Sequence, residues 1–275
     1  MEAAGNRPRR RIPHIGTYRR ELPVSIERMY ENTLDWEHLP YLHASSFARI
    51  ECRESGPWGW RAWVWSRTHP DGAPFLLELM LDLDCRRWIT RTVEGRGVGT
   101  EIWTHAFAMG DRRTDVVVDF FVPGIPEERI TAMREFYLNL YAQLYDEDVS
   151  MMTLRQDRLE TVRNVAGPLA PEDLTIGLLD EVHKRLPLLI EVGRTKIKVV
   201  EIRGELAAYP TVCPHRLGPL ENGELTAGVV QCPWHGYRFD IRTGQCASGQ
   251  HCRLSPMPTV HVDRKTSEVS IRFNR

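Results

Sequence analysis

Two short strings, Cys213-Pro-His215 and Cys232-Pro-Trp-His235, constrain this chain more than anything else in it. Each supplies one thiolate and one imidazole from a short loop, with sixteen residues between His215 and Cys232. Two cysteines and two histidines in that mixed order can hold a [2Fe–2S] cluster asymmetrically, thiolates on one iron and neutral imidazoles on the other. That is an electron-transfer device. The competing use of the same donors is a structural zinc site, usually built from C-x2–4-C and H-x3–5-H pairs. Here each loop mixes the two types, and a single residue separates Cys213 from His215.

At 275 residues the chain can form one large domain or two ordinary ones. Its 36 Lys+Arg against 37 Asp+Glu give no reason to expect a nucleic-acid partner. An arginine-rich start (Arg7, Arg9, Arg10, Arg11, then Arg19 and Arg20) could touch an anionic partner, but reads first as a solvated terminus or a subunit contact. No apolar run is long enough to span a membrane, and no apolar h-region follows the basic start. Six cysteines in so long a chain do not make a disulfide scaffold, so Cys52, Cys85, Cys246 and Cys252 read as reduced thiols. The expectation is a soluble, cytoplasmic protein.

Periodicity is lost and Gly and Pro accumulate over 161–171, the composition of a connection. The expected domains are therefore 1–165 and 170–275. The first reads helix (24–39, with Ser25 as N-cap), six strands and one long helix over 126–160. The strand runs are 46–53, 59–67, 75–84, 87–94, 99–108 and 113–122. Phe75 to Leu83 alternates with Glu78 and Asp82, as a strand with one wet side would. Trp58 and Trp60 have the opposite parity to Trp63 and Trp65, which calls for a bulge near Arg61-Ala62 or for cover on both faces. Trp103, His105 and Phe107 share a strand face and read as packing or as a site lining. The long helix carries an apolar stripe through Met133, Tyr137, Leu140, Leu144 and Met151, and a sheet gripping it suits a small-molecule site. Tyr141 and Tyr145 call for no more than a structural role. The second domain reads as all-β, with strands 188–192, 196–202, 205–208, 229–231, 237–240, 259–263 and 268–273 and with the two Cys/His loops between them. His251 and Cys252 sit in a later loop with no assigned chemistry.

A second constellation stands near the other end, in Asn32-Thr-Leu-Asp35-Trp-Glu-His38-Leu-Pro-Tyr-Leu-His43. Two histidines and one carboxylate are the ligands of mononuclear non-haem Fe(II) sites that keep positions open for dioxygen. Residues five apart on a helix stand about 140° apart. Pro40 resolves this if it ends the helix near Leu39, so that His43 folds back toward His38. Asp35, one turn before His38, suits a hydrogen bond that orients a ligand imidazole. The third ligand must come from elsewhere, and the long helix offers Asp146-Glu147-Asp148. By helical angle Asp146 points away, whereas Glu147 and Asp148 lie at the two edges of the stripe, and geometry does not choose between them.

The stretch Cys213 to Leu220 with Cys232 to Asp240 resembles the Rieske family along nearly its whole length, and Asn32, Asp35, His38 and His43 resemble the iron-binding helix of Rieske non-haem iron oxygenases. The resemblance implies a [2Fe–2S] cluster on Cys213, His215, Cys232 and His235, and Fe(II) on His38, His43 and an aspartate best matched by Asp148, with Glu147 as fallback. Asn32 and Asp35 would serve catalysis. Respiratory Rieske proteins carry an extra cysteine in each loop. Gly218 and Trp234 stand there, so the domain is similar to those of oxygenases and soluble ferredoxins. The implied fold is α+β: an N-terminal helix-grip (START/SRPBCC-like) catalytic domain and a C-terminal all-β Rieske domain.

The implied activity is hydroxylation or demethylation of a small, aromatic or otherwise hydrophobic substrate with O2. Electrons would come from an NAD(P)H-dependent reductase, with or without a ferredoxin, since no G-x-G-x-x-G fingerprint follows a strand. The family also implies a homo-oligomer, a trimer, in which one subunit's cluster serves its neighbour's iron through the residue matched by Asp35. Two features depart from the pattern: the domain order is reversed, and the segment between His43 and Asp148 is short. The alternative is a non-enzymatic Rieske electron carrier fused to a small-molecule-binding grip domain.

Overall fold

The computed structural model describes residues 12–163, 173–192 and 195–273. The Arg7–Arg11 run and most of the 161–171 connection lie outside the described residues. The chain divides into two compact units, at Thr153/Leu154.

The first unit is a seven-stranded antiparallel sheet with helices. Its strands are β1 (His14–Leu22), β2 (Phe47–Gly56), β3 (Gly59–Ser66), β4 (Phe75–Asp82), β5 (Arg87–Glu94), β6 (Glu101–Gly110) and β7 (Arg113–Phe121). They run β1-β7-β6-β5-β4-β3-β2 across the sheet, a meander whose first strand returns to pair with the last. Alternation on β7 is nearly ideal: Val116, Val118 and Phe120 are buried between half-buried neighbours. The core forms between this face and two helices, α1 (Ile26–Leu34) and the long α3 (Ile130–Arg163), whose residues from Leu154 on belong to the second unit, with a one-turn α2 (Leu39–Leu42) between α1 and β2. Met29 of α1 and Tyr145 and Met152 of α3 are buried against Ala62, Trp88 and Phe120 of the sheet. The expected α+β grip of a sheet on a long helix is what the chain forms.

Several expectations change in detail. The helix over 24–39 breaks at Asp35 (φ −88, ψ 80), and a 3-10 turn, Trp36–His38, follows. Pro40 does not end a helix. It sits in the first turn of α2, where its missing N–H has no partner to lose. Ser25 precedes α1 in extended conformation but its side chain does not cap the helix; its hydroxyl bonds the Glu27 carboxylate and holds that group below its usual range. The bulge lies on β2, between Cys52 and Glu54, opposite the Arg61-Ala62 pair of β3. Trp60 is core, and its indole N–H donates to Thr33 O at 3.0 Å. The outer face of β4 is not simply wet: Glu78 is buried and ion-paired with Arg61, while Met80 is the exposed residue. On β6, Thr104 and Ala106 face the core, so Trp103, His105 and Phe107 belong to the other face, where Arg87 lies over Trp103 at 4.4 Å. Strand β1 was not expected; Arg19 and Arg20 are in it, pairing with Asp115 and Asp146.

The second unit contains small antiparallel sheets. One is β9 (Leu188–Val192), β10 (Thr195–Ile202) and β11 (Glu205–Pro210); another is β12 (Glu224–Thr226), β13 (Val229–Gln231) and β14 (Arg238–Asp240). The third joins β15 (Pro258–Val262), β16 (Glu268–Phe273) and β8 (Leu174–Leu178). Ile197, Val199, Ala208, Ile271 and Phe273 form its main core. Unexpected from sequence are β8, β12 and a short α4 (Leu179–Arg185).

Candidate metal centres

The first centre depends on the break at Asp35. A continuous helix would splay His38 and His43, whereas the 3-10 turn and α2 bring their ring centroids to 5.1 Å, nearly perpendicular. Both histidines are buried, as is Asp148 on α3. Asp148 Oδ1 lies 3.1 Å from His43 Nε2 and 3.6 Å from His38 Nε2. The three donor atoms all fall within 4.8 Å of one another. Metal–ligand bonds near 2.1 Å separate neighbouring donors by roughly 3.0–3.4 Å in octahedral or tetrahedral geometry. The two separations from Asp148 are close to that spacing, and the third is no more than 4.8 Å. Asp148 Oδ1 nevertheless has no hydrogen bond of acceptable geometry, and a buried carboxylate oxygen left so is costly unless a cation completes it. The residues fit a mononuclear metal ion.

Glu147 does something different. Its Oε2 is 2.6 Å from Nδ1 of His43, on the side away from Asp148, and its Oε1 accepts from Gln143 at 3.2 Å. A carboxylate on Nδ1 fixes the tautomer that leaves Nε2 free to bind metal. Burial alone would lower the His43 pKa, but Asp148 and Glu147 outweigh it and the net direction is up. Asp35 Oδ2 stands 3.9 Å from His38 Nδ1 in the analogous place. Asn32, one turn earlier, keeps a buried side-chain oxygen with no hydrogen-bond partner. Asp146 is exposed and pairs with Arg20, as its helical angle requires.

The face of α3 that carries Asp148 is Tyr137, Tyr141, Tyr145, Asp148 and Met152, a clean i, i+4 and i+3 series. This face is rotated by part of a turn from the stripe that Leu140 and Leu144 predict, so Asp148 lies at its centre and not at its edge. Tyr145 stacks on Tyr18 with centroids 5.8 Å apart. Burial, then neighbouring tyrosines and Asp148, push the Tyr141 and Tyr145 phenols up, so both stay protonated.

The second centre is held by two loops of matching design. In one, Cys213 N–H donates to Gly218 O and Leu217 N–H to Cys213 O; in the other, Cys232 N–H donates to Tyr237 O and Gly236 N–H to Cys232 O. The fifth residue of each, Leu217 (φ 63) and Gly236 (φ 67), is left-handed. Cys213 and Cys232 are 1% and 0% exposed, so both thiols are out of water. They sit against each other, which lowers Cys232 to about 5 and raises Cys213. The His215 and His235 rings are 4.7 Å apart, and Tyr237 stacks on His215 at 4.2 Å and 6°. A Cβ on Gly218 would come within 2.7 Å of Cys232 Sγ, so only glycine lets the two loops close this tightly. Two buried thiols and two imidazoles fit a [2Fe–2S] cluster. The last turns of α3 brace the first loop: Arg155 donates to Arg216 O at 3.0 Å, and Arg158 to Leu217 O and to Glu221. Neither the braces nor the Tyr237 stack was expected from the sequence.

The family model described as Rieske [2Fe–2S] domain matches residues 173–259. Apoptosis-inducing factor 3 of Homo sapiens is 46% identical over 89 residues, 32% of this chain and 15% of that protein. The oxygenase component of dicamba O-demethylase from Stenotrophomonas maltophilia is 48% identical over 48 residues, 18% of this chain and 14% of that protein. The chain thus spans about a seventh of the length of these two relatives. The anthranilate 1,2-dioxygenase ferredoxin subunit of Burkholderia cepacia is 36% identical over 74 residues, 26% of this chain and 68% of that subunit. Among solved structures, a START superfamily protein from Mycobacterium smegmatis gives a TM-score of 0.42 at 14% identity, covering 51% of this chain and 99% of that one. No helix among the described residues is long and apolar enough to cross a membrane.

Proposed function

Given that the chain belongs to the Rieske [2Fe–2S] family, we propose that it is the oxygenase component of a Rieske-type non-haem iron system. It hydroxylates or demethylates a small, aromatic or otherwise hydrophobic molecule. The observation that carries this reading is the convergence of His38, His43 and Asp148, all buried, outside the segment that matches the Rieske family. An electron carrier has no use for it. When bound, the cluster supplies single electrons and the mononuclear Fe(II) supplies open positions for dioxygen.

The chain's own residues prepare for that chemistry. Glu147 orients the His43 imidazole through its outer nitrogen, and Asp35 sets a carboxylate charge 3.9 Å from that of His38. Tyr141 and Tyr145 keep water from the Asp148 side of the site. A separate NAD(P)H-dependent reductase, with or without a ferredoxin, supplies the electrons; a homo-oligomer in the cytoplasm completes the proposal.

The test is Asp148→Ala with a surrogate reductase and a panel of aromatic substrates. Substrate-dependent oxygen consumption is abolished while the visible spectrum of the cluster is kept. Turnover that survives in Asp148→Ala refutes the ligand assignment. Wild-type protein that passes electrons to acceptors but never consumes oxygen supports the carrier reading instead.

A further inference from the structure

Cys246 and Cys252 stand apart from both metal centres. They are half-buried residues in a loop that is otherwise largely exposed, and both are free thiols. The chain enters and leaves the loop through an antiparallel bridge between Gln245 and Arg253. One residue further in on each side come the two cysteines, which therefore oppose each other across the mouth of the loop. Opposed residues of an antiparallel pair have Cα atoms about 4.5–5.5 Å apart, inside the roughly 4.4–6.8 Å that a disulfide requires. The thiols are close enough to perturb one another's ionisation, and Cys246 Sγ lies 3.3 Å from Gln250 Oε1. Partial burial and then the neighbouring Cys246 hold the Cys252 thiol above its ordinary value, as expected for neighbouring thiols.

The loop is tied to the second cluster loop. Ala247 N–H donates to Arg238 O at 2.7 Å, and Arg238 N–H to Ser248 Oγ at 2.9 Å. Arg238 directly follows Tyr237, whose ring stacks on His215.

We propose that Cys246 and Cys252 form a dithiol–disulfide couple that staples the mouth of this loop shut, beside β14, when oxidised by a low-molecular-weight disulfide. One protein thiolate attacks the small disulfide, forming a mixed disulfide and releasing one small thiolate. The second protein thiolate then attacks the protein sulfur of that mixed disulfide and releases the other. The two protein thiols lose two electrons and two protons, and the small disulfide takes them up as two thiols.

Trypsin isolates the pair cleanly, because the peptide Thr243–Arg253 contains both cysteines and none of the other four. The protein with its cluster is equilibrated anaerobically in glutathione buffers from reducing to oxidising, quenched, alkylated and digested. In oxidising buffer the peptide loses both alkyl tags and is two hydrogens lighter, and dithiothreitol restores the tags. Cys252→Ser gives a glutathione adduct on Cys246 in its place. In the oxidised protein the Ala247 amide exchanges several-fold more slowly than in the reduced one. A peptide that stays doubly alkylated, or a wild-type protein that accumulates glutathione adducts without the internal bond, overturns the couple. Unchanged exchange at Ala247 overturns the staple.

Discussion

Glu147 and Asp148 are neighbours in the chain with different tasks, because consecutive helical residues project about 100° apart. Asp148 faces both Nε2 atoms, and Glu147 reaches round to Nδ1 of His43. Removing the second should therefore weaken the metal site without removing a ligand. Glu147→Ala is expected to lower Fe(II) affinity about 10–100-fold, read by titrating metal-depleted protein, with the cluster spectrum unchanged. An unaltered affinity would show that His43 is oriented by its packing alone. The carboxylates were visible in the sequence as an acidic triplet; their division of labour was not, since a shift of part of a turn in the inferred stripe interchanges centre and edge.

The cluster loops depend on the elements that frame them. Arg158 lies in the last turns of α3, only 18% exposed, and holds Leu217 O and the 16%-exposed Glu221 together. Arg158→Ala leaves a half-buried carboxylate and a loop carbonyl without their donor. It is expected to destabilise the second unit by about 1.5–3 kcal/mol, measured as an earlier loss of cluster absorbance in urea; Arg158→Lys recovers part of this. The turn after β14 gives a pH dependence. Burial pushes the Asp240 carboxyl up, but the Thr243 and Arg242 N–H groups and the Thr243 hydroxyl hold it lower overall. Its contribution is present above the unfolded carboxylate value and is lost as pH falls through the folded one. Stability of the second unit should therefore drop below about pH 4, and Asp240→Asn should flatten that limb of a urea-midpoint profile against pH. Element types were legible wherever the alternation was strong, as in β7. Strand β1 was not: it is an edge strand in which only Ile15 and Leu22 are buried, so charged residues hide its period.

For the whole molecule, the two centres differ in how far sequence alone could take them. The Cys213/His215/Cys232/His235 set is local: each pair lies in one tight loop, and spacing specifies the chemistry almost by itself. The His38/His43/Asp148 set is a tertiary product. It needs the helix break at Asp35, the α2 turn begun by Pro40, and a residue more than a hundred positions away on α3. Sequence could nominate its members and misplace the turn, because a proline permits either a helix end or a helix start. On the proposed reading both sets hold iron in one chain. Iron and acid-labile sulfide measured on the same purified protein decide this. About three irons per two sulfides are expected, falling to about two per two in Asp148→Ala; a ratio of about two per two in the unaltered protein after Fe(II) loading would refute the mononuclear site.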